Sequence, residues 1–188
     1  MNVVALSGST AGSKTRTAMD YTAASLQKQL PDSDVTLLDL AEYDVQFSDG
    51  RHHLDYDGDT GYVVRTMMEA DAVIIGTPVF QASIPGTLKN LFDLLPGDGF
   101  SGKVVSMLVT AGSAKHYLIA EQQLKPILGY MKAEIVQGYV FIEEKNFYQK
   151  QITDDDVLFR IDRLVEDTAF RTGVLTRIQE EQDAAYDF

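Results

Sequence analysis

Residues 70–96, ADAVIIGTPVFQASIPGTLKNLFDLLP, decide the fold. The run DAVIIGTP is short, continuous and apolar, the pattern of a strand buried on both faces of a parallel sheet. The run GTLKNLFDLL has helix composition, and Pro85-Gly86 stands before it, where a proline's missing N–H needs no partner. Between strand and helix lie an aromatic, Phe80, and small polar residues. A buried strand that passes through such a loop into a helix is half of a βαβ unit.

The same alternation continues on both sides. Strands are expected over MNVVALSGS (1–9), DVTLLDL (34–40), GKVVSMLVTAG (102–112) and AEIVQGYVFI (133–142). Helices are expected over TRTAMDYTAASLQKQL (15–30), VVRTMMEA (63–70), AKHYLIAEQQLKPILGYM (114–131) and the acidic-fronted stretch 154–182. Residues 41–62 are polar and rich in Gly and Asp, so a loop is expected there. Strands alternating with helices imply a parallel sheet. Five strands fit an α/β flavodoxin-like three-layer sandwich of order 2-1-3-4-5, with helices on both faces and residues 1–188 forming one domain.

Charge and composition exclude several classes. The chain has 188 residues, 45% of them hydrophobic, with 16 basic and 28 acidic side chains and a net charge of −12. That balance argues against a sequence-independent nucleic-acid surface and against docking on anionic membranes. It leaves room for a small anion held by backbone N–H groups. There is no cysteine, hence no thiolate nucleophile or thiolate metal site. No segment has the length or apolarity of a membrane span or the pattern of a signal peptide, so the expected compartment is the cytoplasm.

Open α/β sheets keep ligands beyond the carboxyl ends of their strands, at the topological switch point. That selects three loops: residues 7–17, 77–86 and 110–116. The first, SGSTAGSKTRT, offers Gly8 and Gly12, the hydroxyls of Ser9, Ser13, Thr15 and Thr17, and the cations Lys14 and Arg16, all before a helix. It is neither a Walker loop nor G-x-G-x-x-G. Two readings stand level on this loop alone: a mononucleotide phosphate site, or a Ser-rich helix cap without a ligand. The second loop, TPVFQAS, supplies backbone groups and Phe80. The third, TAGSAKH, supplies Gly112 and Ser113 N–H groups, small enough to meet a flat ring edge-on. His52 and His53 lie among Asp49, Asp55, Asp57 and Asp59, but adjacent histidines face apart and the aspartates complete no EF-hand. A solvated loop is expected there, with no metal.

The segments SKTRT, TPVFQASIPGTLKNLFDLL and TAGSAKHYLIAEQQLKPIL resemble the NAD(P)H-dependent FMN reductase family, over residues 1 to about 145. The likeness is strongest to the reductase components of two-component alkanesulfonate monooxygenase systems. It implies FMN and NADPH or NADH as cofactors. Ser9, Ser13, Lys14, Thr15, Arg16 and Thr17 would hold the phosphate, and Pro78, Val79, Phe80 and Gln81 would run extended along the ribityl chain and ring. Thr110, Ala111, Gly112 and Ser113 would face the pyrimidine side, with His116 near the ring. Hydride would pass directly from nicotinamide to flavin, so no catalytic side chain is required. A flavin-dependent monooxygenase would receive the reduced flavin. The chain would be a homodimer or homotetramer through the Gly86 and Leu118–Leu128 helices.

Thr10-Ala11 replaces a Pro-Arg common among relatives, which leaves the choice of nicotinamide open. Ile84 stands where some flavin-donating relatives carry an aromatic or histidine, so a tightly held prosthetic FMN stays open too. Two alternatives share the fold: a prosthetic-FMN quinone or azo-compound reductase, and a non-enzymatic flavodoxin-type electron carrier.

Overall fold

The computed structural model describes residues 1–186. β1 (Asn2–Ser7) is buried from Val3 onward and lies inside the sheet, between β2 (Asp34–Asp39) and β3 (Ala72–Pro78). β4 (Val104–Ala111) follows β3, and all pairings are parallel. β3 is buried at every position, as its continuous apolar run requires.

The fifth position differs from the single strand expected over 133–142. It is divided into β5 (Glu134–Ile135), paired with Val104 and Val105, and β6 (Val140–Glu143), paired with Leu108–Ala111. The chain bulges at Gln137-Gly138, where Lys125 Nζ donates to Gln137 O at 2.9 Å. An edge strand can bulge because it has a partner on one side only. The order is therefore 2-1-3-4-5 with a broken last strand. A small antiparallel pair, β7 (Phe147–Tyr148) and β8 (Gln151–Ile152), lies outside this sheet.

Successive residues of each strand serve opposite layers, as a period of two demands. Val3, Ala5, Ala72 and Ile74 pack with Ala18, Met19 and Leu26 of α1 (Lys14–Gln29) and Val157, Ile161 and Val165 of α5 (Asp155–Tyr186). Val4, Leu6, Val73 and Ile75 pack with Val63 and Met67 of α2 (Gly58–Glu69), Leu88 and Leu91 of α3 (Gly86–Leu94), and Leu128 of α4 (Lys125–Tyr130). No helix among the described residues is long and apolar enough to cross a membrane.

Two expectations are corrected. The helix expected over 114–131 is a 3-10 turn at Ala114–His116, a π turn at Ala120–Leu124 and then α4. Pro126 falls in the first turn of α4, directly after the π turn, and its missing N–H is least disruptive at such a position. The polar loop before α2 is mostly exposed, as expected, and is anchored at a few points. Tyr56 is 1% exposed and donates its hydroxyl to Asp49, Ser48 N–H donates to Asn90 Oδ1, and Asn90 Nδ2 donates to Gln46 O. α2 also begins five residues earlier than expected, at Gly58, whose φ of +57° favours glycine.

Candidate active site

The carboxyl ends of β1, β3 and β4 meet at one rim, because their parallel registers align Ser7 with Gly76 and Pro78 with Thr110. β1 leaves the sheet through Gly8, whose N–H donates to Gly76 O at 2.8 Å. A Cβ at Gly8 would lie 3.1 Å from that oxygen and from Leu88 Cδ2, so the close approach needs glycine. The chain then turns through Ser9. The Ser9 hydroxyl donates to Ala11 O at 2.6 Å and accepts from Ala11 N–H at 3.2 Å, which closes the loop on itself.

α1 begins at Lys14, with Ser13 at its cap position. Ser13 makes no side-chain capping bond. The N–H groups of the first helical turn therefore keep their donor capacity for a ligand, and the helix dipole adds positive potential there. The Thr15 hydroxyl, 3% exposed, is hydrogen-bonded to the Thr110 hydroxyl at 2.7 Å, tying the first loop to the third.

β3 continues into the second loop without a break. Val79 N–H donates to Thr110 O at 3.1 Å. Phe80 and Ser83 then exchange two backbone hydrogen bonds of 3.0 Å around Gln81-Ala82, whose φ values are 49° and 59°. The extended course expected over Pro78–Gln81 therefore ends at Phe80. Gln81 belongs to a tight turn of left-handed residues, the geometry that joins antiparallel segments most closely. Phe80 is 43% exposed at the rim. Pro85 stands at the cap position of α3, one residue before the helix rather than inside its first turn.

These loops surround a cleft of about 350 Å³. The first loop contributes Ala11, Gly12, Ser13, Lys14 and Thr15, the second Pro78, Val79 and Phe80, and the third Thr110, Ala111 and Gly112. Six other expected residues stand apart from its lining. Ser9 is spent on its own loop. Thr17 Oγ1 donates to Lys150 O at 3.4 Å. Gln81 is at the tip of the turn, and Ser113 and His116 bracket the 3-10 turn beyond Gly112, with His116 half-buried. Arg16 is turned away completely. Its guanidinium donates to Asp20 at 2.8 Å, to buried Asp39 at 2.7 Å and to Glu42. The three hydrogen bonds, Asp20's foremost, raise its pKa beyond the ordinary arginine range.

One lining residue was not anticipated. Glu144, one residue past the end of β6, reaches over the cleft and pairs with Lys14. That pairing, first through the hydrogen bond and then through the charge, holds the Glu144 carboxyl below its usual pKa. The parallel register signals its place: Ala111 pairs with Glu143, so the residue after the last strand must reach the same rim.

Residues 1–147 match the family described as NADPH-dependent FMN reductase. The chain belongs to that family. It is 37% identical over 165 residues, 87% of its own length and 89% of the relative's, to an NAD(P)H-dependent FAD/FMN reductase of Geobacillus thermodenitrificans. It is 28% identical over 167 residues, 88% of this chain and 90% of the relative, to the NADH-dependent FMN reductase SfnF of Pseudomonas putida. The apo form of the NADH:FMN oxidoreductase EMOB superposes with a TM-score of 0.73 at 25% identity, over 90% of this chain and 89% of that one. For a family whose members bind a flavin monophosphate, the cleft supplies an apolar wall, backbone donors and a cation on one rim.

Proposed function

We propose that this chain transfers a hydride from NADPH or NADH to FMN held in the cleft between the three loops. The observation that carries this reading is the uncapped start of α1. Ser13, Lys14 and Thr15, the start of the helix, line one cleft, and a phosphate monoester with three acceptor oxygens suits the donors that a helix start, a hydroxyl and a cation offer.

Lys14, Ser13 and the N–H groups after Ser13 would hold the phosphate. Pro78, Val79 and Phe80 would form the side of the cleft along which the remainder of the flavin lies. Gly112 and its neighbours would offer backbone groups to the ring edge, where the absence of a Cβ permits close approach. The isoalloxazine ring itself supplies the hydride acceptor. The protein's work is then to align and to exclude water. Phe80, exposed at the rim, gives an apolar platform for the nicotinamide. Thr15 and Thr110 fix the distance between the phosphate loop and the ring loop through their shared hydrogen bond.

Flavin as a released substrate is the favoured mode. Glu144 reaches over the cleft, and the cation there is already paired with it. A flavin-dependent monooxygenase is the proposed recipient, in line with the resemblance of the second and third loops to the reductases of such systems. Purified protein tests this reading. It should be colourless and oxidise NADPH or NADH only when FMN is added. Yellow protein with stoichiometric FMN that passes electrons to quinone or azo dyes would favour the prosthetic alternative. Nicotinamide oxidation that does not depend on flavin would overturn the proposal.

A further inference from the structure

We propose that Glu144 is a flavin-exchange residue, a carboxylate that competes with the FMN phosphate for Lys14 and so keeps the flavin readily released. This rests on the flavin reading of the cleft and assigns a role to a residue which that reading does not require.

The geometry is specific to this position. Glu144 extends from the turn after β6 and its carboxylate meets Lys14 Nζ in the mouth of the cleft. Its second oxygen lies across from the third loop, 3.9 Å from where a Cβ on Gly112 would sit. The carboxylate thus stands between the first and third loops, on the side where the phosphate donors converge. A phosphate monoester carries nearly two negative charges near neutral pH. It and Glu144 cannot both keep Lys14 without repulsion between like charges.

Nothing else in the turn depends on that ion pair. The backbone at Glu144 is set by its neighbours: Glu143 N–H donates to Asn146 Oδ1 at 2.8 Å, and Asn146 Nδ2 donates to Asp154 at 2.6 Å. Glu143 has its own partner in Lys145. The Glu144 side chain is 64% exposed and is free to swing into solvent when Lys14 turns to a phosphate. An exposed ion pair is weak enough for a ligand to displace, and strong enough to take back its cation when the ligand loosens. Arg16, the other basic residue of this helical turn, cannot substitute, because three carboxylates already hold it.

The test is a fluorescence titration of FMN and of riboflavin, which lacks the phosphate, into wild type, Glu144→Gln, Lys14→Met and the double variant, with a thermal melt of each. Glu144→Gln should bind FMN roughly fivefold more tightly, on the scale of one exposed charge pair plus the repulsion removed. Its melting temperature and its affinity for riboflavin should be unchanged. The gain should shrink when Lys14 is already absent, since the competition is for that cation. FMN affinity that stays level or falls in Glu144→Gln would overturn the proposal, as would an equal gain for riboflavin. Absence of FMN binding to the wild type would overturn the flavin reading itself, and the exchange role with it. Tight FMN binding with no response to Glu144→Gln would remove the exchange role alone.

Discussion

Lys14 and Arg16 lie two residues apart in the first turn of α1, and their fates are opposite. Lys14 faces the cleft, 45% exposed, with one partner that is itself exposed. Arg16 faces β2, 33% exposed, and is fastened to three carboxylates, of which Asp39 is buried. The helix period explains the split, since a step of two residues turns the side chain by about 200°. One side of the turn is left for a ligand. The other is a brace between α1 and the end of β2. A cation already held by three acids has little left for a phosphate, so basic residues near a binding loop count only when their partners are known.

Exchanging each cation for methionine should separate the two roles, and this is the largest effect expected. Lys14→Met should weaken FMN about tenfold or more, as loss of a charged hydrogen bond does at ~1.5–3 kcal/mol, with stability nearly unchanged. Arg16→Met should lower stability by about 2 kcal/mol with little change in FMN affinity. That figure lies below the ~3–5 kcal/mol of a fully buried pair because Arg16 remains partly in water. Urea unfolding and flavin titration of both variants check the pair. Similar profiles for the two would erase the distinction.

Thr15 lies between them and should register in both assays. Thr15→Val leaves the Thr110 hydroxyl buried without its partner, which costs about 1–2 kcal/mol of stability. It should also weaken FMN a few-fold, because the phosphate loop loses its tie to the ring loop. A stability loss without any change in FMN affinity would mean that the tie is structural only.

The Phe80 turn sharpens the comparison from the opposite side of the cleft. Phe80→Ala should cost less than ~1 kcal/mol of stability, because the ring is not in the core. It should raise KM for the nicotinamide several-fold with a smaller fall in kcat, the signature of lost uniform binding. A loss near the ~3–5 kcal/mol of a buried aromatic would show packing instead. The smallest effect belongs to Ala82, whose φ of 59° glycine tolerates better. Ala82→Gly should raise stability by about 0.5–1 kcal/mol without altering kinetics, as chemical denaturation can measure.

Strand order and the identity of the three loops were legible in the sequence. Buried apolar runs such as 71–78, each followed by a helix pattern, leave few topologies open. The cleft was legible only in part, because sequence shows which residues a loop contains and not which way they point. Arg16 reads like Lys14 until the register of Ser7 with Asp39 brings Asp39, and Glu42 behind it, to the back of the helix. Glu144 is 130 positions from Lys14, and only the pairing of β4 with β6 carries it to the rim. The Gln81-Ala82 turn carries no glycine or asparagine to announce left-handed backbone, so it passed for an extended segment.

The most direct test is a crystal structure of the protein soaked with FMN. The phosphate should lie within hydrogen-bond reach of Lys14 and the first-turn N–H groups of α1, with Glu144 swung away and Arg16 still on Asp39. The ring should lie against the Phe80 loop, with an edge toward Gly112. FMN bound elsewhere, or in this cleft with its phosphate away from α1, would contradict the account.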